Sequence, residues 1–302
     1  MLALLASVLM AIAPSSVVCR PIVDVRGVGV PDVVTAEVTA DAEATLDDVR
    51  ARLGSTSCAP ITITLVPAMA DAPLLDPPWH LPSWAAGAAM VRERRIVIGV
   101  TSDRQVQHRH NTLVHELAHV VSADVAHGKP LPRWLDEGIA RIVAGEHGAS
   151  DLSILAHARV AGRHFPLSSL KAGFPPGAAD AGLAYAEAGR AVAIIEGARP
   201  GAIAELLRCI GEGDDVEPAL VRVTGRAVWQ LDRDVTESVT AFAAFAVVGA
   251  ETDVAMAGCG LVVAFAGVRA RRRIRARLLA MAAHDDTLVS PTVVRWTVTS
   301  SS

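Results

Sequence analysis

Aromatic side chains are scarce in this chain, with one Tyr, five Phe and five Trp among 302 residues, or 4%. Yet 51% of the residues are hydrophobic and the mean hydropathy is +0.37. Ala and Val in small-residue helices account for the difference. A chain this apolar is not disordered as a whole. One-signed charge is lacking as well: 28 basic against 32 acidic residues leave a net charge of −4. That balance gives no global field for a nucleic-acid partner. The four cysteines, Cys19, Cys58, Cys209 and Cys259, contain no CxxC pair, which argues against a cysteine zinc site. Cys58 and Cys209 are available to pair in an exported domain. No uninterrupted apolar run reaches the ~20 residues of a bilayer span, so a polytopic membrane protein is not expected. No repeat of solenoid period is present.

The apolarity that does exist is concentrated at two ends. Leu2 to Ala13 is apolar apart from Ser7, the length of a signal-peptide core. No Lys or Arg precedes it. Near the other end, Val254 to Val268 is uninterrupted, and adding Val247 to Ala250 reaches spanning length if Glu251 and Asp253 sit at the interface. Six arginines follow within Arg269–Arg277, a cytoplasmic anchor under the positive-inside rule. The expected organisation is a signal peptide at 1–19, a domain at 20–238, a transmembrane helix at 247–268 and a basic cytoplasmic tail at 269–302.

Between these ends the pattern is mixed. Asp41 to Leu53 is amphipathic and ends at Gly54, as a helix would. Ile61–Val66 and Arg95–Val100 alternate β-branched residues and predict strands. Helices are predicted over Gln107–Val121, Arg133–Ala144, Leu183–Gly197, Ala202–Ile210, Pro218–Thr224 and Ala227–Val239, with loops over Pro73–Trp84 and Phe165–Gly182. The class is α+β, with a small mixed sheet first and a helical part after it.

The helix from Gln107 carries His115-Glu116-Leu117-Ala118-His119. Residues four apart share a helix face, so both imidazoles reach one metal ion. Glu116 lies about 100° around the helix from His115. It borders the metal without binding it, the position of a general base acting on water. Thr112, Leu113, Val114, Leu117, Ala118, Val120 and Val121 are expected to bury the remainder. A pattern this short also arises by chance, and the bland reading is two surface histidines with an ordinary helix glutamate.

A catalytic zinc wants a third protein ligand. Trp134-Leu135-Asp136-Glu137-Gly138 opens the next helix, and Glu137 lies 18 residues after His119. It offers a hard anionic donor, with Gly138 allowing close helix packing. Asp136 competes for the same role, and its early helical position also suits a solvated place at the positive helix end.

HELAH followed by LPRWLDEGIA resembles the gluzincin metallopeptidases, in particular the peptidase MA-like group. Leu81–Ala89, the strand ending at Val100, Ala184–Glu187 and Gly201–Ile210 extend the resemblance, which covers Ile61 to Val239. It implies a thermolysin-like zincin with a zinc-binding helix pair. It also implies one Zn2+ held by His115, His119 and Glu137, and Glu116 as base. It further implies that the Arg95–Val100 strand is the sheet edge that pairs with an extended peptide. The spacing from His119 to Glu137 is one residue shorter than the usual aminopeptidase pattern. Trp84-Ala85-Ala86-Gly87 stands where a GxMEN-type sequence would recognise a free amino terminus. Endopeptidase action is therefore favoured over aminopeptidase action. Gluzincins often use a downstream tyrosine or histidine as oxyanion donor. Here that points to Tyr185, the chain's single tyrosine, with His157 and His164 behind it. His108, His110 and His127 are read as surface residues unless one supports a ligand.

The expected function is a membrane-anchored zinc peptidase facing outside the cytoplasm, acting on peptide or protein substrates, with no nucleic acid involved. The alternative is a non-catalytic binding module with structural zinc. Glu116 argues against that, because a structural site needs no base. An intramembrane protease does not fit the polar flanks of the helix, Gln107 to His110 and Asp124.

Overall fold

The computed structural model describes residues 23–75, 85–100 and 106–240. The expected signal peptide, membrane span and basic tail lie outside the described residues. Among those described, no helix is long and apolar enough to cross a membrane.

Four strands form one mixed sheet: β1 (Val23–Gly27), β2 (Ile61–Val66), β3 (Gly87–Met90) and β4 (Arg95–Gly99), in the order β1-β2-β4-β3. β1, β2 and β4 run parallel, and β3 returns antiparallel to β4. The parallel β1–β2 pair requires a crossover. Helix α1 (Asp32–Leu53) supplies it, ending at Gly54 in the left-handed region. The helix starts earlier than its amphipathic half suggests, with Pro31 setting its N-terminus.

Strand alternation sorts the two faces. Ile61, Ile63, Leu65, Ile96 and Ile98 point to the helices and form one core with Leu46, Val49, Leu53, Leu113 and Leu117. Val97 and Val66 belong to the opposite face, under the 3-10 segment Met69–Leu74. The β3–β4 turn is anchored through Arg94. Its guanidinium donates to Pro60 O at 3.0 Å and Ala59 O at 2.7 Å and pairs with Asp124.

This topology corrects one expectation. The Arg95–Val100 strand is not the sheet edge, because β4 is paired on both sides. Among the described residues the edges are β1 and β3, and the small Gly-Ala-Ala-Met run of β3 carries no β-branched residue to announce it.

The remaining helices are α2 (Val106–Val125), α3 (Arg133–Val143), α4 (Ala149–Val160), α5 (Ala178–Ala198), α6 (Ala202–Glu212), α7 (Val216–Thr224) and α8 (Val228–Ser238). Helix α2 packs on α1, the sheet and α3; α5 packs on α3, α4, α6 and α8. Helix α4 and strands β1 and β3 have no counterpart in the sequence reading. The predicted loop to Gly182 ends earlier, because α5 begins at Ala178.

Gly138 closes the contact between α3 and α5 rather than that between α3 and α2. A Cβ there would stand 2.5 Å from both Ala188 O and Val192 Cγ2. The Cys58–Cys209 pairing does not form: Cys58 is disulfide-bonded, while Cys209 is a free thiol buried in the α6 core.

Candidate metal centre

Two helices bring the predicted ligands together. The sheet, α1 and α3 cover nearly the whole circumference of α2 at its middle, and every apolar residue named above for its burial is buried. That rigid setting fixes His115 and His119 one turn apart on one face, with Glu116 beside them. Pro130 and Pro132 bracket the turn that reverses the chain into α3. The first N–H groups of α3 are satisfied from outside: Arg133 N donates to Lys171 O at 2.9 Å and Trp134 N to Leu170 O at 3.1 Å. Glu137 sits in the second turn of the helix thus held, 2% exposed.

Glu137 Oε2 lies 3.3 Å from His115 Nε2 and 3.9 Å from His119 Nε2. The ligand atoms of all three residues fall within 4.8 Å of one another. Tetrahedral zinc with bonds of about 2.0–2.1 Å has donor separations of about 3.3 Å. Glu137 Oε2 is buried and has no hydrogen-bond partner. A buried carboxylate oxygen left in this way is a cost unless something fills the place, and a cation between three such donors fits it.

Each imidazole is oriented from behind. Carboxylates only accept, so His119 donates from Nδ1 to Asp136 Oδ1 at 2.9 Å, and His115 donates from Nδ1 to Glu146 Oε2 at 3.1 Å. Both Nε2 atoms are thereby turned toward Glu137. Asp136, the competing candidate ligand, thus serves as the support of His119 and is not in the donor triad. Glu146 was not read from the sequence. It follows α3 in an Ala-Gly-Glu turn with no spacing to mark it.

The electrostatics match a cation site. Burial lowers the pKa of His115, but the carboxylates of Glu137 and Glu146 beside its two nitrogens outweigh this and push it up to about 10. Burial likewise opposes protonation of His119, and Asp136 overcomes it, raising the pKa. Burial raises the Glu137 carboxyl, but His115, His119 and Arg133 outweigh it and bring it down to about 2. Glu116 is 7% exposed, and burial raises its pKa against the pull of the two histidines. A carboxylate so raised is suited to accepting and releasing a proton.

Two arginines complete the surroundings. Arg133 pairs with Glu137 Oε1. Arg141 holds Asp151 on α4 at 2.8 and 2.9 Å and donates to Glu146 O at 2.6 Å, which fixes the turn that carries Glu146. Both lie four residues from Glu137, so helix periodicity places them on its face, a signal legible in RWLDEGIAR.

Tyr185, on α5, packs edge-on against Phe174 with ring centroids 4.7 Å apart. Its hydroxyl is linked to Arg133, and Arg141 lies 5.8 Å above its ring. Burial and the charge of Glu137 push its pKa up to about 12, so it keeps its proton. His164 is engaged at both nitrogens, by Glu187 at 2.9 Å and Asp232 at 3.2 Å. His157 is exposed and contacts Ser153 O on its own helix. His110 contacts Asp41, His127 contacts Gly211 O, and His108 is exposed.

The family described as Peptidase MA superfamily matches residues 27–241 of the chain. No curated protein and no solved structure matches it.

Proposed function

The chain belongs to the Peptidase MA superfamily, and from that premise we propose that it is a zinc-dependent peptidase. The observation that carries the reading is the buried, partnerless Glu137 Oε2 facing two oriented imidazole nitrogens. His115, His119 and Glu137 would hold the metal. A zinc ion bound there supplies Lewis-acid polarisation of the scissile carbonyl and a lowered water pKa.

The chain's own residues do the rest. Glu116 takes a proton from the attacking water on its carboxylate and passes it to the leaving nitrogen. Tyr185 donates its O–H to the developing oxyanion, a contribution of about 3 kcal/mol for a well-placed donor. Strand β3 presents an outer edge among the described residues, and Gly87 at its start borders Glu116. An extended substrate adding to that edge would pass the base. Endopeptidase action is favoured because Trp84–Gly87 carries no acid to bind a free amino terminus.

We place the catalytic domain outside the cytoplasm on a membrane anchor. The apolar N-terminal run and the 247–268 stretch with its arginines support this placement.

The test is a quenched-fluorescent peptide library with zinc-loaded protein. Cleavage inside the peptides is expected, with a loss of roughly 10²–10⁴-fold in Glu116→Gln. Full activity of that variant would sink the mechanism. Peptide binding without turnover would favour the non-catalytic module.

A further inference from the structure

Arg133 opens α3 and stands where three different groups meet. One guanidinium nitrogen pairs with Glu137 Oε1 on the same helix face. Nη1 lies 3.9 Å from Asp136 Oδ2, whose partner oxygen holds His119. The guanidinium also lies beside the Tyr185 side chain, close enough for the two to interact electrostatically. Its own backbone N–H is fixed on Lys171 O at 2.9 Å. The side chain is nonetheless 46% exposed, whereas that of Glu137 is 3% exposed. A half-solvated cation reaching onto a buried carboxylate contributes little to the core.

The two oxygens of Glu137 are therefore unlike. Oε1 is tied to Arg133, and Oε2 has no hydrogen-bond partner and faces the imidazoles. A carboxylate free to turn can chelate a cation through both oxygens and take the position that water needs. A charge-assisted bond to one oxygen prevents this. A guanidinium has only donors, so toward it the Tyr185 hydroxyl can only accept, and its own proton stays available to another acceptor.

We propose that Arg133 is a positioning residue for peptide hydrolysis: it reserves Glu137 Oε2 for the metal and sets the Tyr185 hydroxyl beside the same site. The proposal rests on the reading of His115, His119 and Glu137 as the metal ligands. The planar fork of arginine is required because it spans two acceptors at once, whereas a lysine ammonium is a point charge on a flexible stem.

Tyr185 is the only tyrosine in the chain. Incorporating 3-fluorotyrosine into the full-length protein therefore yields one 19F resonance, and that resonance reports on this residue alone. Arg133→Met is expected to weaken zinc affinity by about 10–100-fold in chelator competition. It should also shift the 19F resonance and lower kcat more than it raises KM. Arg133→Lys is expected to recover zinc affinity in part and to leave the resonance displaced. The proposal is overturned if Arg133→Met changes neither zinc affinity nor the resonance, or if Arg133→Lys restores both. Should the methionine variant fail to fold, the lysine variant decides through the resonance. Both readouts remain valid if the zinc-loaded wild type cleaves no peptide, so failure of the enzymatic reading is separable from failure of this one.

Discussion

Gly87 lies against Glu116. A Cβ at position 87 would stand 3.0 Å from Glu116 Cγ, 3.1 Å from its Oε1 and 2.9 Å from Thr112 Cγ2. The edge strand thus meets the proposed base through a residue with no side chain. Gly87→Val is expected to displace Glu116 and cost about 10²-fold in kcat, the effect of a misplacement near 1 Å. Zinc content should be unchanged, because His115 and His119 are not touched. Kinetics together with metal analysis check this, and loss of zinc would place the damage elsewhere.

Glu146 accepts from the imidazole of His115 and Asp136 from that of His119. Glu146→Gln and Asp136→Asn each retain shape but replace a charged acceptor with an amide. Each is expected to reduce zinc affinity or activity by about 10–100-fold. Zinc competition against a fluorescent chelator measures it. Arg141→Met should act in the same direction through Glu146, whose turn it holds.

His164 joins the 161–177 segment to α5 and α8. Glu187 also accepts Phe165 N at 3.2 Å, and Asp232 accepts Leu167 N at 2.9 Å. The same segment receives the first N–H groups of α3 through Leu170 O and Lys171 O, so this staple supports the helix that bears Glu137. Burial lowers the His164 pKa, but Glu187 and Asp232 outweigh it and raise the pKa in the folded state. Glu187 is raised too, chiefly by burial. A raised folded-state pKa contributes stability that is complete below the unfolded value of about 6.5 for histidine and declines as pH rises through the folded value. The melting temperature of wild type relative to His164→Gln should therefore be highest near pH 5 and fall toward alkaline pH. The cations that line the same cavity are Arg159 and Arg163. A difference that grows with pH would contradict the assignment.

Gly138 permits the close approach of α3 to α5. Any side chain there meets Ala188 O and Val192 Cγ2 at 2.5 Å. Gly138→Ala is expected to destabilise the fold by about 1–3 kcal/mol, the usual range for overpacking. Urea unfolding of the metal-free protein measures it. Zinc affinity should fall in parallel, because the helix that shifts carries Glu137.

Local pattern reached far into this protein. The spacing of His115, Glu116 and His119 needs only helix geometry, and helix geometry is local. The same holds for β2, for Gly54 ending α1, and for most of α2, α3 and α6. Helix α4 escaped because its outward side carries Leu152, Ile154 and Val160, while its buried side includes Asp151, paired with Arg141. Hydrophobic period points the wrong way when an ion pair fills the interface. Strand β3 escaped because Gly87, Ala88 and Ala89 have little strand preference, and pairing with β4 imposes the conformation.

The sequence by itself determined that two imidazoles share one helix face with a carboxylate about 100° around from the first, since covalent spacing and the 3.6-residue turn leave no choice. Only the tertiary structure set Asp136 behind His119, put β4 inside the sheet with β3 at an edge, and brought Glu146 behind His115. Those outcomes depend on how α3 and the turn after it pack on α2, and on which strands flank β4. Adjacent carboxylates on one helix are alike in composition and spacing. They differ only in which neighbour each one meets.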